Sequence, residues 1–357
     1  MKAAIVIGTR PEVIKLAPII KKLKKSNRSV IFTSQHYDFE LGIRFFEELR
    51  LPKPDYRLKI GKESAAMQIG EIVSKLEPIL SQIKPDTVMV QGDTNTALAG
   101  SICAIKIGVP INHVESGLRS FDWRMPEEHN RIMIDHISDL LFAPTKKSKK
   151  NLLNEKVHGK IFVTGNTVMD SILQNIKLAE KRSTLTTSKS DFILVTIHRA
   201  ENVDNREVIT NIMSALIESS NKIIFPIHPR TLKRLQQFNL FSKVSKAKHI
   251  TLLSSIGYFD VLKLMKKCSF IVSDSGGIQE EATSPVIRKK VLVIRKTTDR
   301  PESVESGFSI VVGTKKTNIL NAIKETSKNP VLKPKVSPYG KGVTSKIIVS
   351  LLKKHFR

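Results

Sequence analysis

The chain has 357 residues, 40% of them hydrophobic, with two cysteines and a formal charge of +26. That is enough chain for two domains with sizeable cores, and two cysteines do not make a disulfide-built scaffold. The charge would suit a nucleic-acid or membrane surface, but the lysines are scattered in short runs such as 21–25 and 146–150, and only 6% of residues are aromatic. No helix-turn-helix or zinc spacing occurs either. The lysines therefore read as solvated helix faces that also favour an anionic substrate, with no specific nucleic-acid partner and no membrane insertion.

From the N-terminus, the apolar stretch 3–7 is a first strand, too short for a signal or a membrane span, so a cytoplasmic location is expected. Strands are predicted at 2–8, 29–34, 87–91, 111–115, 140–144 and 161–164, with helices between them, among them 13–26 and 94–107. Gly165-Asn166-Thr167 closes this half, and the polar stretch 181–190 reads as a linker or exposed loop. The pattern restarts with strands at 192–197, 222–226, 250–253, 270–273, 291–294 and 308–312. Such alternation predicts an α/β fold of two Rossmann-like domains with parallel sheets, over 1–168 and 169–340, and a last helix within 341–357. Ligands of such sheets bind beyond the carboxyl ends of strands, and an interdomain cleft is the natural active site. Cys103 and Cys268 lie in apolar runs and are expected to be buried free thiols.

The most informative stretch is DSGGIQEEA at 274–282, directly after the apolar run 270–272. Strand, glycine turn and helix start in this order bring backbone close to a ligand and aim the free N–H groups of the first helical turn at it, a geometry that binds phosphate. Ser275 as an ordinary N-cap explains the same residues. Four other clusters bear on the choice.

The first strand runs into Gly8-Thr9-Arg10-Pro11-Glu12, with Lys15 on the helix behind it. Arg10 and Lys15 suit a phosphate, and Pro11 equally marks a plain helix start. There is no GxGxxG here, so a nicotinamide cofactor gains no support, and no cofactor is expected. Asp93 ends the third strand as a candidate acid or as the N-cap of the next helix. Glu115 ends the fourth strand, and the loop beyond it leads to Arg124-Met125-Pro126-Glu127-Glu128. Carboxylates grouped in this way suit proton abstraction and return, while Glu127 and Glu128 also suit the positive end of a helix. In the second half, His198 follows a strand end and His228 repeats that placement one strand later. Their spacing gives no ligand cluster, so no metal is expected. Arg300-Pro301-Glu302 is either a substrate clamp near the glycine turn or a proline-marked helix start.

Taken in order, GTRPEVIKLAP, SQHYDFE, VQGDTNTALAG, HVESGLRSFD, RMPEEHNRIMIDHISDLLFAPT, GNTVMD, TIHRAENVDN, HPRT, DSGGIQEEA and TTDRPESVE, spread over residues 8–305, resemble the non-hydrolysing UDP-N-acetylglucosamine 2-epimerases. The resemblance implies a GT-B type fold with the active site between two Rossmann-like domains, the last helix crossing back onto the first domain, and a homodimer. It implies reversible inversion at C2 of UDP-N-acetylglucosamine (UDP-GlcNAc) to give UDP-N-acetylmannosamine, by loss and re-addition of UDP through 2-acetamidoglucal, with a role in polysaccharide biosynthesis. Carried to matching positions, it makes Asp93, Glu115 and Glu127 the acid/base carboxylates and places His198 on the diphosphate. Arg10, Lys15 and Arg300 would hold phosphate or sugar, Ser275, Gly276 and Gly277 the diphosphate, and Glu281 the ribose. A regulatory second UDP-GlcNAc would involve Gln35, Arg199 and His228.

There are departures from the family pattern. Ser34 stands where a glycine is usual, and Asp38 stands where a glutamine is common, which counts against such regulation. The segment 283–290 is about two residues longer than usual and lacks a Gly-Lys-Pro. The alternatives are a hydrolysing epimerase, which releases UDP and free N-acetylmannosamine, a relative acting on a diacetamido uronic-acid nucleotide, and a GT-B glycosyltransferase. The last shares the diphosphate turn but has no need of three carboxylates in its N-terminal half.

Overall fold

The structure is a computed structural model that describes residues 1–34, 45–61, 64–183, 185, 191–254, 256–332 and 335–356. Gln35, Asp38 and most of the predicted linker 181–190 lie outside the described residues. The chain divides into two compact units, one of Met1–Ser171 with Tyr339–Arg357 and one of Ile172–Pro338.

The first unit is built on seven strands: β1 (Ala3–Ile7), β2 (Arg28–Phe32), β3 (Tyr56–Arg57), β4 (Thr87–Gln91), β5 (Ile111–Val114), β6 (Leu140–Ala143) and β7 (Lys160–Val163). Their order is β3-β2-β1-β4-β5-β6-β7, and every pairing is parallel. Strands β1 and β4 are wholly buried, which accounts for their unbroken apolar runs, because a parallel sheet is covered on both faces. One cover is the helix Ala65–Ile83, whose Ile72, Leu76 and Leu80 repeat at helical spacing and join the core with Val88, Val90 and Cys103. Another is the helix Arg10–Lys22, against which the last helix, Thr344–His355, packs.

The second unit repeats the plan with β8 (Ile193–Thr196), β9 (Ile223–Pro226), β10 (Ile250–Leu253), β11 (Phe270–Ser273), β12 (Val291–Val293) and β13 (Ser309–Val311). The parallel order is β10-β9-β8-β11-β12-β13. Its core gathers Ile193, Val195, Phe225, Phe270, Val272 and Leu292 from the strands with Ile212, Leu216 and Ile319 from covering helices. The loop 283–290 is tied back on itself: the Lys289 amide donates to the Ala282 carbonyl, and the Ile287 and Arg288 amides donate to the Ser284 carbonyl, all at 3.0 Å. Strand β12 begins directly after it.

Both sheets therefore have doubly wound order, and in each the direction of winding reverses once, between β1 and β4 and between β8 and β11. At such a switch point the loops leaving adjacent strands diverge and open a crevice at the carboxyl ends. Cys103 and Cys268 are free and buried, and burial pushes their thiols up to about 11 and about 12. No helix among the described residues is long and apolar enough to cross a membrane.

Candidate active site

In the first unit the switch point is flanked by the β1 loop, which begins at Gly8, and the β4 loop, which carries Asp93. Glu12, in the first turn of the helix Arg10–Lys22, folds back into the β1 loop. Its Oε2 accepts the Gly8 amide at 3.1 Å and the Thr9 amide and hydroxyl at 2.7 Å, while Oε1 accepts the Thr94 hydroxyl at 3.0 Å. Complete burial pushes the Glu12 carboxyl up to about 7, against the pull of these donors. Glu12 thereby joins the β1 and β4 loops. Arg10 stands at the start of the same helix, with its guanidinium carbon 5.2 Å from the centre of the Phe45 ring.

Asp93 is not the helix cap that sequence leaves open for it. Thr94 caps the helix Asn95–Lys106, its hydroxyl accepting the Ala97 amide at 3.0 Å. The Asp93 carboxylate turns instead to Arg131, whose Nη2 donates to Oδ2 at 2.6 Å. Asn130 donates to the Asp93 carbonyl at 2.9 Å. Both partners lie on the helix Pro126–Ile137, whose first turn carries Glu127. The Glu127 side chain is exposed, and the Arg131 Nε donates to its carbonyl at 3.2 Å. Glu128 beside it is fully buried. Its carboxylate accepts the amides of Ser120 at 2.9 Å and Phe121 at 3.0 Å, which shapes the loop after β5.

Glu115, one residue past β5, is 7% exposed and has a left-handed backbone, φ 73°. That conformation is costly for a side chain with a Cβ and persists where the surroundings impose it. The Lys15 Nζ, itself buried, donates to Glu115 Oε1 at 2.7 Å and Oε2 at 2.5 Å. Oε2 also accepts Gln91 Nε2 at 3.2 Å and Asn166 Nδ2 at 3.1 Å. So the structure sets Lys15 on a carboxylate one hundred residues away in sequence, a contact that no local pattern announces.

Beneath these loops lies a charged cluster in which the His113, Asp135 and Arg119 side chains have no solvent access. Asp135 Oδ1 is 2.7 Å from His113 Nδ1, and its Oδ2 accepts the Gly117 amide at 3.0 Å and lies 2.8 Å from Arg119 Nη1. Arg119 also forks onto Glu155 at 2.7 and 2.5 Å, and His113 Nε2 is 2.8 Å from the Gly92 carbonyl. Burial opposes the Asp135 charge, but His113 and then Arg119, by charge and hydrogen bond, hold its carboxyl below the ordinary aspartate range. The cluster fixes the turns just before Asp93 and just after Glu115.

In the second unit, the β8 loop carries His198 and Arg199 and the β11 loop carries Asp274 to Gly277. Asp274 is fully buried and knits the two loops together. It accepts the His198 amide at 3.1 Å, the Arg199 amide at 2.9 Å and Asn202 Nδ2 at 3.0 Å. Its Oδ1 lies 3.5 Å from His198 Nδ1. The His198 and His228 rings lie side by side, centres 5.5 Å apart and planes tilted by 35°. His228 caps the helix Pro229–Gln237, its Nδ1 accepting the Arg230 amide at 3.2 Å. Burial lowers the His198 imidazole, Asp274 opposes this, and the charges of Arg199 and Arg230 add to it. Burial and then His198 and Arg230 lower His228 likewise. Burial and the neighbouring charges thus hold both rings toward the neutral form.

Ser275 caps the short helix Gly276–Glu281. A Cβ on Gly276 would lie 3.2 Å from Asp299 Oδ1, tight packing beneath the turn, whereas one on Gly277 would meet only the Ser275 hydroxyl, at 3.8 Å. The Gly277 backbone is therefore bare on its outer side. Arg300, expected as a substrate clamp, is buried. Its Nε donates to Glu280 Oε1 at 2.5 Å and its Nη1 to the Asp299 carbonyl at 3.1 Å. Glu281, at the helix end, is half-buried, and Arg199 Nη2 lies 3.9 Å from Asp299 Oδ2. Of the three residues considered for regulation, Arg199 and His228 flank His198, and Gln35 lies outside the described residues.

Gln91, Arg131, Asn166, Asp274 and Asp299 were not singled out by sequence reasoning. All five stand inside the quoted motifs, and Arg131 lies four residues after Glu127 on one helix face.

Two doubly wound sheets, with carboxylates and cations at the switch point of one and histidines with a bare glycine turn at the other, define a protein of the GT-B type. The sequence model of one family, UDP-N-acetylglucosamine 2-epimerase, matches residues 20–353. UDP-N-acetylglucosamine 2-epimerase of Methanocaldococcus jannaschii is 46% identical over 365 residues, covering 99% of both chains. The enzyme of the same name from Methanococcus maripaludis is 42% identical, with 98% of each chain covered. The crystal structure of the Methanocaldococcus jannaschii UDP-GlcNAc 2-epimerase in complex with UDP-GlcNAc and UDP matches with a TM-score of 0.90 at 44% identity, covering 99% of this chain and 100% of that one. The chain belongs to the UDP-N-acetylglucosamine 2-epimerase family.

Proposed function

We propose that this chain is a non-hydrolysing UDP-GlcNAc 2-epimerase, interconverting UDP-GlcNAc and UDP-N-acetylmannosamine. The observation that carries the proposal is that Asp93 and Glu115 follow the neighbouring strands β4 and β5, and that Arg131 and Asn130 tie Asp93 to the helix whose first turn carries Glu127, in a chain of this family. Inversion at C2 is hard by simple deprotonation, because the C2 hydrogen is not next to a carbonyl. If the C1–O bond breaks as C2 loses its proton, the electron pair of the C–H bond forms the C1–C2 double bond and UDP leaves with the C–O pair. The products, 2-acetamidoglucal and UDP, then recombine, with a proton returned to the other face of C2. Such a cycle needs a base, an acid and a site that keeps both fragments.

In this reading a carboxylate of the first unit takes the proton and another returns it. Arg131 aims the Asp93 carboxylate, and Lys15 does the same for Glu115. The Ser275–Gly277 turn receives the diphosphate on backbone and hydroxyl donors, and His198, with its neutral ring, gains a proton from solvent or from an acid as charge develops on departing UDP. Arg10 and Arg300 act at the phosphate and sugar, and Glu281 at the ribose. The active species is a homodimer, to be read as twice the 40.0 kDa chain mass by light scattering, and a 40.0 kDa particle would remove that element.

A proton-NMR time course with UDP-GlcNAc tests the reaction. UDP-N-acetylmannosamine should appear and level off at an equilibrium mixture while UDP stays far below the sugar nucleotides. Continuous build-up of UDP with free N-acetylmannosamine would establish the hydrolysing reaction instead.

A further inference from the structure

We propose that Asn166 is a positioning residue for Glu115, and that the C-terminal segment 339–345 holds Asn166 in place. This inference rests on the acid/base role proposed for Glu115.

Every polar group of Asn166 is engaged, and each bond fixes the next. Asn166 is 2% exposed. Its Oδ1 accepts the Val168 amide at 2.9 Å, which determines that the amide nitrogen, a donor only, faces Glu115 Oε2 at 3.1 Å. The Asn166 backbone amide donates to the Tyr339 carbonyl at 2.8 Å. Gly165 before it has φ 88°, and a Cβ there would lie 2.6 Å from the Thr344 hydroxyl and 2.9 Å from the Tyr339 carbonyl, so the turn is pressed against the C-terminal segment. That segment is fastened in turn. Thr344 Oγ1 donates to the Thr164 carbonyl at 3.0 Å, and the Thr344 and Ser345 amides donate to Asp170 at 3.1 and 3.0 Å.

A neutral donor at this place does what a second cation would not. Lys15 supplies charge from a flexible stem, whereas the Asn166 amide, locked at both ends, fixes which way the carboxylate plane points. Reacting groups out of place by about 1 Å cost on the order of 100-fold in rate, so orientation of this carboxylate matters to turnover.

Asn166→Asp separates positioning from structure. An aspartate keeps the acceptor for the Val168 amide but sets a carboxylate against Glu115 where a donor stood. In the full-length protein, kcat is expected to fall roughly 10- to 100-fold with KM within about twofold, and the acid limb of the kcat profile to move up by about one pH unit or more. Asn166→Ala, which removes the donor without adding charge, should lower kcat in the same range with KM again unchanged. A readout independent of turnover is the 13C resonance of the Glu115 carboxyl, assigned by its loss in Glu115→Gln. Its titration midpoint should rise in Asn166→Asp. Variants that fold, keep the parent kcat and leave this midpoint in place would overturn the proposal, as would losses that only track the folded fraction in a thermal melt. If the parent chain itself turned over no UDP-GlcNAc, the proposed reaction would fall, and the carboxyl titration would still decide the contact.

Discussion

Glu115→Gln is expected to lower kcat by roughly 10²- to 10⁴-fold, the range of a positioned acid or base, while both sheets stay folded. The amide keeps the shape of the side chain and removes its proton affinity. The substitution also leaves Lys15 buried opposite a neutral group, where before it stood 2.5 Å from a carboxylate oxygen. Breaking a buried pair from one side costs about 3–5 kcal/mol, so the variant should melt earlier as well as turn over slowly. The two effects separate by temperature: at 15 °C the folded fraction recovers and the kcat deficit remains. A Glu115→Gln protein with near-parent turnover when folded would remove Glu115 from the acid/base pair.

Asp135→Asn is expected to carry the largest stability loss outside the carboxylates that act on substrate. Asp135 has no solvent access and stands between His113 at 2.7 Å and Arg119 at 2.8 Å. The asparagine leaves the buried Arg119 guanidinium with Glu155 as its one carboxylate partner among the described residues, a loss of about 3–5 kcal/mol. For a unit of this size that is roughly a 6–20 °C fall in the melting midpoint. The sign of the pH dependence follows from the lowered Asp135 pKa. A group whose folded pKa lies below its unfolded value, about 3.9, contributes stability that is present above that value and lost as pH falls through the folded one. The gap between parent and variant should therefore be full at pH 7 and narrow only below about pH 4. A gap that stays constant into that acid range would mean that the Asp135 charge is not what holds the cluster. The Gly92 and Gly117 turns hang on this cluster, so residual activity at low temperature should fall too.

Most of the sheet framework was legible because parallel strands covered on both faces are continuous apolar runs, and the restart of that pattern after residue 190 marked a second sheet. Strand β3, only Tyr56–Arg57, escaped notice since two residues at a sheet edge carry no periodicity. Asp93, Glu115, His198 and Ser275 stand just beyond the carboxyl ends of β4, β5, β8 and β11, where the predicted strands put them. What pairs with them was not legible. Lys15 reaches Glu115 across one hundred residues, and Arg300 is occupied by Glu280 and Asp299, because partner choice is set by how sheet loops converge and not by local pattern. The helix cap fell on Thr94, one residue past the Asp93 considered for it, a shift of register that local sequence does not resolve.

The reaction itself is tested most directly by the fate of one hydrogen. Proton loss to a carboxylate and return from another passes the C2 hydrogen through groups that exchange with solvent. UDP-GlcNAc incubated with the protein in deuterated water should therefore gain deuterium at C2, in step with the appearance of UDP-N-acetylmannosamine and with UDP remaining low. Epimerised product that keeps full protium at C2 would contradict the carboxylate relay of Asp93, Glu115 and Glu127.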